Sequence, residues 1–181
     1  MISLSSEQLV LREIKIDDWR SVHSYASQAK VSRFQPWGPN TEEDSKLFVE
    51  QAIKDAENNP RTRFVFAIIH KEDGKMIGVV ELNIRDISNK SGEIAYIVHP
   101  DYWGKGIATE AGSLLIEYGF GKRGLHRIYA TCDPRNTGSS RVLEKIGMSR
   151  EGRMQQHLLI KDGWRDSYLY SVLENELQKG C

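Results

Sequence analysis

The sequence predicts a mixed α/β domain built on a mostly antiparallel sheet, with one parallel β-α-β unit inside it. Three observations carry this. Runs rich in β-branched and aromatic residues follow one another across short turn signals such as EDG (residues 72–74), as hairpins do. Helical spacing of apolar residues occupies the N-terminal third. A strand, a glycine loop, a helix and another strand then follow in that order over residues 92–132. A helix crossover of this kind joins parallel strands. The expected total is about seven strands and about four helices in a single domain spanning 1–181.

The elements follow in order. Residues 8–14, QLVLREI, form a short strand. In IDDWRSVHSYASQA, Trp19, Val22, Tyr25, Ala26 and Ala29 recur at helical spacing. The loop QPWGPN carries Pro36 and Pro39, and Trp37 there either walls a pocket or anchors the loop. Thr41 then opens TEED as a helix N-cap with an acidic residue three places on. That helix runs to Asn58-Asn59-Pro60. RFVFAIIH, KMIGVVELNI and GEIAYIV are three successive strands, with SNKSG turning the chain before the last. A helix over residues 107–122, the strand HRIYATC and the helix SSRVLEKI come next, closed by Gly147. Two final strands flank KDGW. No repeat, linker or low-complexity tract divides the chain.

Composition excludes several classes. The chain has 25 basic and 25 acidic residues, so no global charge favours nucleic acid or an anionic membrane. No apolar run is long enough to span a bilayer, and the N-terminus does not read as a signal peptide. The two cysteines, Cys132 and Cys181, form neither a CxxC nor a secretory framework, which points to a reducing cytoplasm. Cys132 reads as a buried strand residue rather than a nucleophile. His70, His99, His126 and His157 are dispersed, with no HExxH and no Cys/His cluster, so no metal is expected. A monomer and a homodimer are both compatible with this composition.

The chemistry centres on YWGKGIATEA, residues 102–111. Gly104 and Gly106 give backbone freedom immediately before a helix start. The loop lies at the carboxyl end of a strand, where ligands favour binding in parallel units. It also leads into a helix N-terminus, whose free N–H groups and partial positive charge suit a phosphate. GxxxxGK[ST] is missing, and GKGIAT lacks the third glycine of a dinucleotide fingerprint.

Two segments together, EIAYIVHPDYWGKGIATEA and HRIYATCDPRNTGSSRVLEKIGM, resemble the coenzyme A half of the GNAT acyltransferase superfamily. More narrowly, they resemble the bacterial branch of ribosomal-protein N-terminal acetyltransferases. The resemblance implies acetyl-CoA as acyl donor. The family's Q/R-x-x-G-x-G/A motif falls on Trp103, Gly104, Lys105, Gly106, Ile107 and Ala108, with Trp in place of the first Gln or Arg. It implies backbone N–H groups around Lys105, Gly106, Ala108 and Thr109 cradling the pyrophosphate. Ile97 and Val98 match positions whose backbone pairs with the pantetheine arm. Asn136 matches an asparagine that binds that arm, and Ser139 a serine near the thioester sulfur. Leu143 stands where many members carry a tyrosine acid, so that mechanism does not transfer.

Direct attack of an amine on a thioester needs a proton acceptor and protonation of the departing thiolate. Glu93, at the start of the strand before the glycine loop, is a candidate base; its alternative is a solvated strand edge. Glu81, on the neighbouring strand, is a second candidate whose face strand alternation alone does not set. Ser139 is either an acid to the leaving sulfur, a helix cap, or both. Asn136 either contacts coenzyme or stabilises the DPRN turn. Lys105 either helps neutralise phosphate or is a surface lysine.

The sequence therefore favours an acetyl-CoA-dependent amine N-acetyltransferase. Its acceptor is a protein N-terminal amine or a small amine such as a polyamine, amino sugar or antibiotic. The competing class is a non-catalytic acyl-CoA-binding module on the same fold. The first releases thiol with some amine, whereas the second binds coenzyme without turnover.

Overall fold

A computed structural model describes residues 2–177 of the chain. One eight-stranded sheet runs in the order β1-β2-β3-β4-β5-β6-β8-β7, with β1 Ser3–Ser5, β2 Leu9–Glu13, β3 Arg63–His70, β4 Met76–Asp86, β5 Ser91–Val98, β6 Arg127–Cys132, β7 Ser149–Ile160 and β8 Gly163–Leu173. Every neighbouring pair is antiparallel except β5 and β6. The helices are α1 Trp19–Ala26, α2 Ala29–Ser32, α3 Glu42–Ala56, α4 Ile107–Gly121, α5 Thr137–Lys145 and α6 Glu174–Leu177. No helix among the described residues is long and apolar enough to cross a membrane.

The sheet thus has eight strands where about seven were expected, and six helices rather than about four. The additions are short. β1 is a three-residue edge strand, too brief to show a period, and is held where Glu13 Oε2 accepts from Ile2 N at 3.2 Å. The helical stretch expected over residues 16–29 divides into a 3₁₀ turn (Ile16–Asp18) and α1, and α2 continues beyond it from Ala29 to Ser32. α3 begins as read, with the Thr41 hydroxyl accepting from Asp44 N and the Asp44 carboxylate accepting from Thr41 N.

The sheet buries both faces. On one, Phe64, Phe66, Val80, Leu82 and Ile94 pack with Ile107, Ala111 and Leu115 of α4 and Leu143 of α5. On the other, Val65 and Val79 pack with Val22 and Tyr25 of α1 and Val49 and Ala52 of α3. β3 explains this sandwich, since its RFVFAIIH is buried across five consecutive positions rather than alternately. Each fully buried Phe or Ile there contributes roughly 1.5–3 kcal/mol. The β4–β5 pair closes tightly because residue 78 is glycine: a Cβ there would lie 2.3 Å from the Ile97 carbonyl oxygen.

The parallel pair matters most. β5 and β6 register only through Ser91↔Arg127, Gly92↔Ile128 and Glu93↔Tyr129. β5 continues to Val98 on its other side, paired with β4 throughout. From Ile94 onward its β6-facing edge has no strand partner, and the sheet opens there.

Candidate active site

The glycine loop ends in a helix start built to leave N–H groups unpaired. Gly104 and Gly106 take φ values of +76° and +79°, a region L side chains rarely adopt. Gly106 is the N-cap of α4 and supplies no capping side chain. The first bond of the helix runs from Glu110 N to Gly106 O at 3.0 Å, so the N–H groups of Ile107, Ala108 and Thr109 have no partner within it. A Cβ on either glycine would meet no atom within 4 Å. Their side-chain-free faces therefore border open space, the geometry of a cradle for an anion such as pyrophosphate. The Ile107 side chain is buried in the core and anchors the helix, leaving only its backbone to a ligand.

Neighbouring groups set this loop in place. Glu110, in the first turn, accepts from Gln8 N at 2.9 Å, from Gln8 Nε2 at 2.7 Å and from the Ser6 hydroxyl. Burial opposes the Glu110 charge, but these bonds outweigh it and hold the carboxyl below its ordinary pKa. Lys105 Nζ lies 5.0 Å from the Tyr102 ring centre. Trp103 substitutes for the Gln or Arg of the motif in an unforeseen way: its indole Nε1 donates to Val98 O at 2.7 Å. Ile97 and Val98 occupy the open stretch of β5, with one Val98 carbonyl lone pair already in use.

Asn136 and Ser139 lie across the opening, at the start of α5. The cap of α5 is Asn136, whose Oδ1 accepts from Ser139 N at 3.1 Å. Ser139 is therefore not the cap, which leaves its hydroxyl free. That hydroxyl lies 2.9 Å from Tyr96 Oη, which also approaches Ser139 O at 3.2 Å. Burial pushes the Tyr96 phenol up, only partly offset by its bond to Ser139, so it stays protonated at neutral pH. Tyr96 was missed in the sequence, although period two with Ile94 and Val98 places all three on one face. It brings a phenol to Ser139 from β5, whereas Leu143 is buried apolar core.

The Asn136 side chain has two separable groups. Its Oδ1 is committed to the cap, which leaves Nδ2 to donate to a ligand. Asn136→Asp keeps a good cap but removes that donor. We expect it to melt near the native temperature and to bind coenzyme more weakly by about 1–3 kcal/mol. Calorimetry and thermal unfolding on the same variant check this; native affinity would assign the side chain to the cap alone.

Glu81 and Glu93 face the opposite side of the sheet from Tyr96, sharing the orientation of Val79 and Ile97 with α1 and α3. Each is paired with an arginine. Glu93 Oε2 accepts from Arg85 Nη2 at 2.8 Å. Glu81 Oε2 accepts from Arg63 Nε at 3.0 Å, and Arg63 Nη1 also donates to Asp55 at 2.8 Å. Glu93, Glu81, Tyr96, Asn136 and Ser139 all line one cavity of about 940 Å³. Trp37 lines it too while packing on the second core cluster, so it is both wall and anchor. Cys132 is buried in the same wall, and burial pushes its thiol up, away from thiolate. Cys181 lies outside the described residues. No group of three metal-ligating side chains occurs among the described residues.

Comparison with known proteins agrees with this geometry. An acetyltransferase (GNAT) domain pattern matches residues 8–149. The chain is 36% identical over 173 residues to YnaD of Bacillus subtilis, described as an uncharacterized N-acetyltransferase, covering 96% of this chain and 98% of the relative. It is 29% identical to the spermidine N(1)-acetyltransferase of Escherichia coli, covering 95% and 89%. Among solved structures, the ribosomal-protein-S5-alanine acetyltransferase of Vibrio fischeri superposes with a TM-score of 0.84 at 28% identity, covering 97% of this chain and 98% of that one.

Proposed function

The chain belongs to the GNAT acetyltransferase family and is an acetyl-CoA-dependent N-acetyltransferase, and we propose that it acetylates a primary α-amine by direct attack, with Glu93 as base and the Ser139–Tyr96 pair as acid. The observation that carries this is the division of the cavity. Carboxylates lie on the α1–α3 side of the open sheet, and the serine–tyrosine pair on the α4–α5 side. The bound coenzyme supplies an activated acetyl thioester. The α4 N-terminus holds its pyrophosphate, and the unpaired edge of β5 with Asn136 Nδ2 holds the pantetheine arm.

Glu93 takes the proton that the amine nitrogen loses as its C–N bond forms. Ser139 gives its proton to the sulfur as the C–S bond breaks, Tyr96 resupplies the serine, and water entering as the products leave carries the Glu93 proton back to Tyr96. Glu93 is preferred to Glu81 because Arg63 ties Glu81 into a three-residue cluster with Asp55, whereas Arg85 alone holds Glu93. An α-amine near pKa 8 is roughly one-tenth neutral at pH 7, whereas a lysine-like amine near 10.4 is neutral about once in 2,500. One carboxylate already paired with arginine suits the first far better.

A polyamine acceptor resembles the substrate named for the Escherichia coli relative, and a protein α-amine is nearer to the ribosomal-protein-S5 alanine named for the Vibrio fischeri protein. The cavity favours the second. A polycation is held by unpaired carboxylates, and three of the four lining this wall are ion-paired: Glu81 with Arg63, Glu93 with Arg85 and Asp133 with Arg135, while Asp44 has hydrogen bonds from Thr41 alone. The test is coenzyme-dependent thiol release across a panel of peptides and small amines. Turnover with α-amines exceeding that with spermidine is expected. Saturable acetyl-CoA binding with no turnover on the whole panel would leave a binding module instead. In the same assay Glu93→Gln is expected to lose about 10²-fold in kcat. Full activity moves that role to Glu81 or to water.

A further inference from the structure

Arg165, on β8, is an outlier among the cavity's charges. It is 6% exposed, and its Nη1 donates to Phe34 O at 2.5 Å and its Nη2 to Ser167 Oγ at 2.7 Å. Its Nε is buried with no hydrogen-bond partner among the described residues. Two other arginines line the same cavity, and both are neutralised: Arg63 by Glu81 and Asp55, Arg85 by Glu93. Arg165 has no ion-pair partner among the described residues. The buried Asp133 nearby is already gripped by Arg135 at 2.8 Å. Burial works against the Arg165 charge and Asp133 offsets only part of that, so a guanidinium held here without an ion-pair partner is costly.

Resting on the acetyltransferase reading, we infer that the amine acceptor also carries an oxyanion, a carboxylate or a phosphate, which Arg165 receives in the wall of the acceptor cavity. Position supports this. Tyr168, Tyr170 and Val172 of β8 turn towards the α4–α5 core, so alternation sends Arg165 and Ser167 to the other face, shared with Glu81 and Glu93. The amine and the anion of one molecule therefore meet the carboxylate and the guanidinium on the same side of the sheet. A smaller cleft of about 290 Å³ also borders Arg165, and there Arg135 and Arg153 pair with the aspartates that line it, Asp133, Asp162 and Asp166. Planar guanidinium donors match either oxyanion in a forked geometry.

Matched acceptors test the idea: L-alanine against L-alaninamide, phosphoethanolamine against ethanolamine, and the peptide Ala-Asp-amide against Ala-Asn-amide, with spermidine as the polycation. kcat/KM is measured on wild type, Arg165→Met and Arg165→Lys. The expected result is a preference for at least one anionic member that falls tenfold or more in Arg165→Met and is partly kept in Arg165→Lys. Comparing that preference between proteins cancels the differing basicity of the two amines. The pair that responds identifies the source of the anion.

If Arg165 only straps the Phe34 loop to β8, both members of every pair fall together and the inference is overturned. It is also overturned if wild type prefers the neutral members or spermidine. Calorimetry with N-acetyl-alanine and N-acetyl-phosphoethanolamine, in the presence of saturating CoA, needs no turnover. Binding lost in Arg165→Met supports the anion site even if no amine in the panel is acetylated, an outcome that would sink the catalytic reading alone. No turnover preference together with no Arg165-dependent binding sinks the anion site.

Discussion

Ser139→Ala is expected to lower kcat by about 10²-fold or more, with coenzyme affinity and melting temperature close to native. The separation follows from geometry. A serine at a helix start usually caps it, and losing a cap costs about 0.5–2 kcal/mol. Here Asn136 is the cap, and Ser139 contributes to it only its backbone N–H, which alanine retains; the hydroxyl's bond to Tyr96 is lost, but Tyr96 keeps its contact with Ser139 O. The hydroxyl is free for the leaving sulfur, where its proton is needed mainly as the C–S bond breaks. Tyr96→Phe should cost about tenfold, because Ser139 then loses its proton source and one hydrogen bond of about 1–1.5 kcal/mol. The double variant should be little worse than Ser139→Ala, since the two groups act as one unit. Near-native turnover in Ser139→Ala would remove the serine from the chemistry. Equal losses in kcat and in coenzyme affinity would make it a binding group.

Gly106→Val carries the other large effect, and it falls on binding. Valine at φ +79° is strained, which costs of order 1–3 kcal/mol. Its branched side chain would also stand in the open space above the α4 N-terminus. Each charge-assisted bond to a phosphate is worth about 1.5–3 kcal/mol, so losing two raises the dissociation constant by about 10²-fold or more. Calorimetry on the folded variant reads this directly. Gly106→Ala separates the causes, because it shares the backbone strain but adds much less bulk. Native coenzyme affinity in Gly106→Val would take the loop out of the binding site.

Much of this fold is local and could be read without coordinates. The capping box at Thr41 and Asp44, the turn at residues 72–74 and the strand RFVFAIIH depend on residues a few places apart. So does the NxxS spacing that starts α5, although only the coordinates assign the cap to Asn136 rather than Ser139. The elements missed, β1, α2 and α6, have three or four residues each and so no period to detect.

What the sequence by itself determined is the local frame of the proposed coenzyme half: a strand, two glycines before a helix, and Asn136 and Ser139 beyond the next strand. Those features are set by backbone conformation and short spacings, which a chain carries wherever it packs. The tertiary structure alone decided the chemistry between elements. It placed Tyr96 against Ser139, 43 residues away, and turned Glu81 and Glu93 to the opposite face. It opened the sheet after Glu93, and buried Arg165 beneath Phe34 across 131 residues of chain. Such contacts depend on how two faces of one sheet are covered by helices distant in sequence. Local propensity carries no record of that packing, because the same strand period serves either face until the helices choose one.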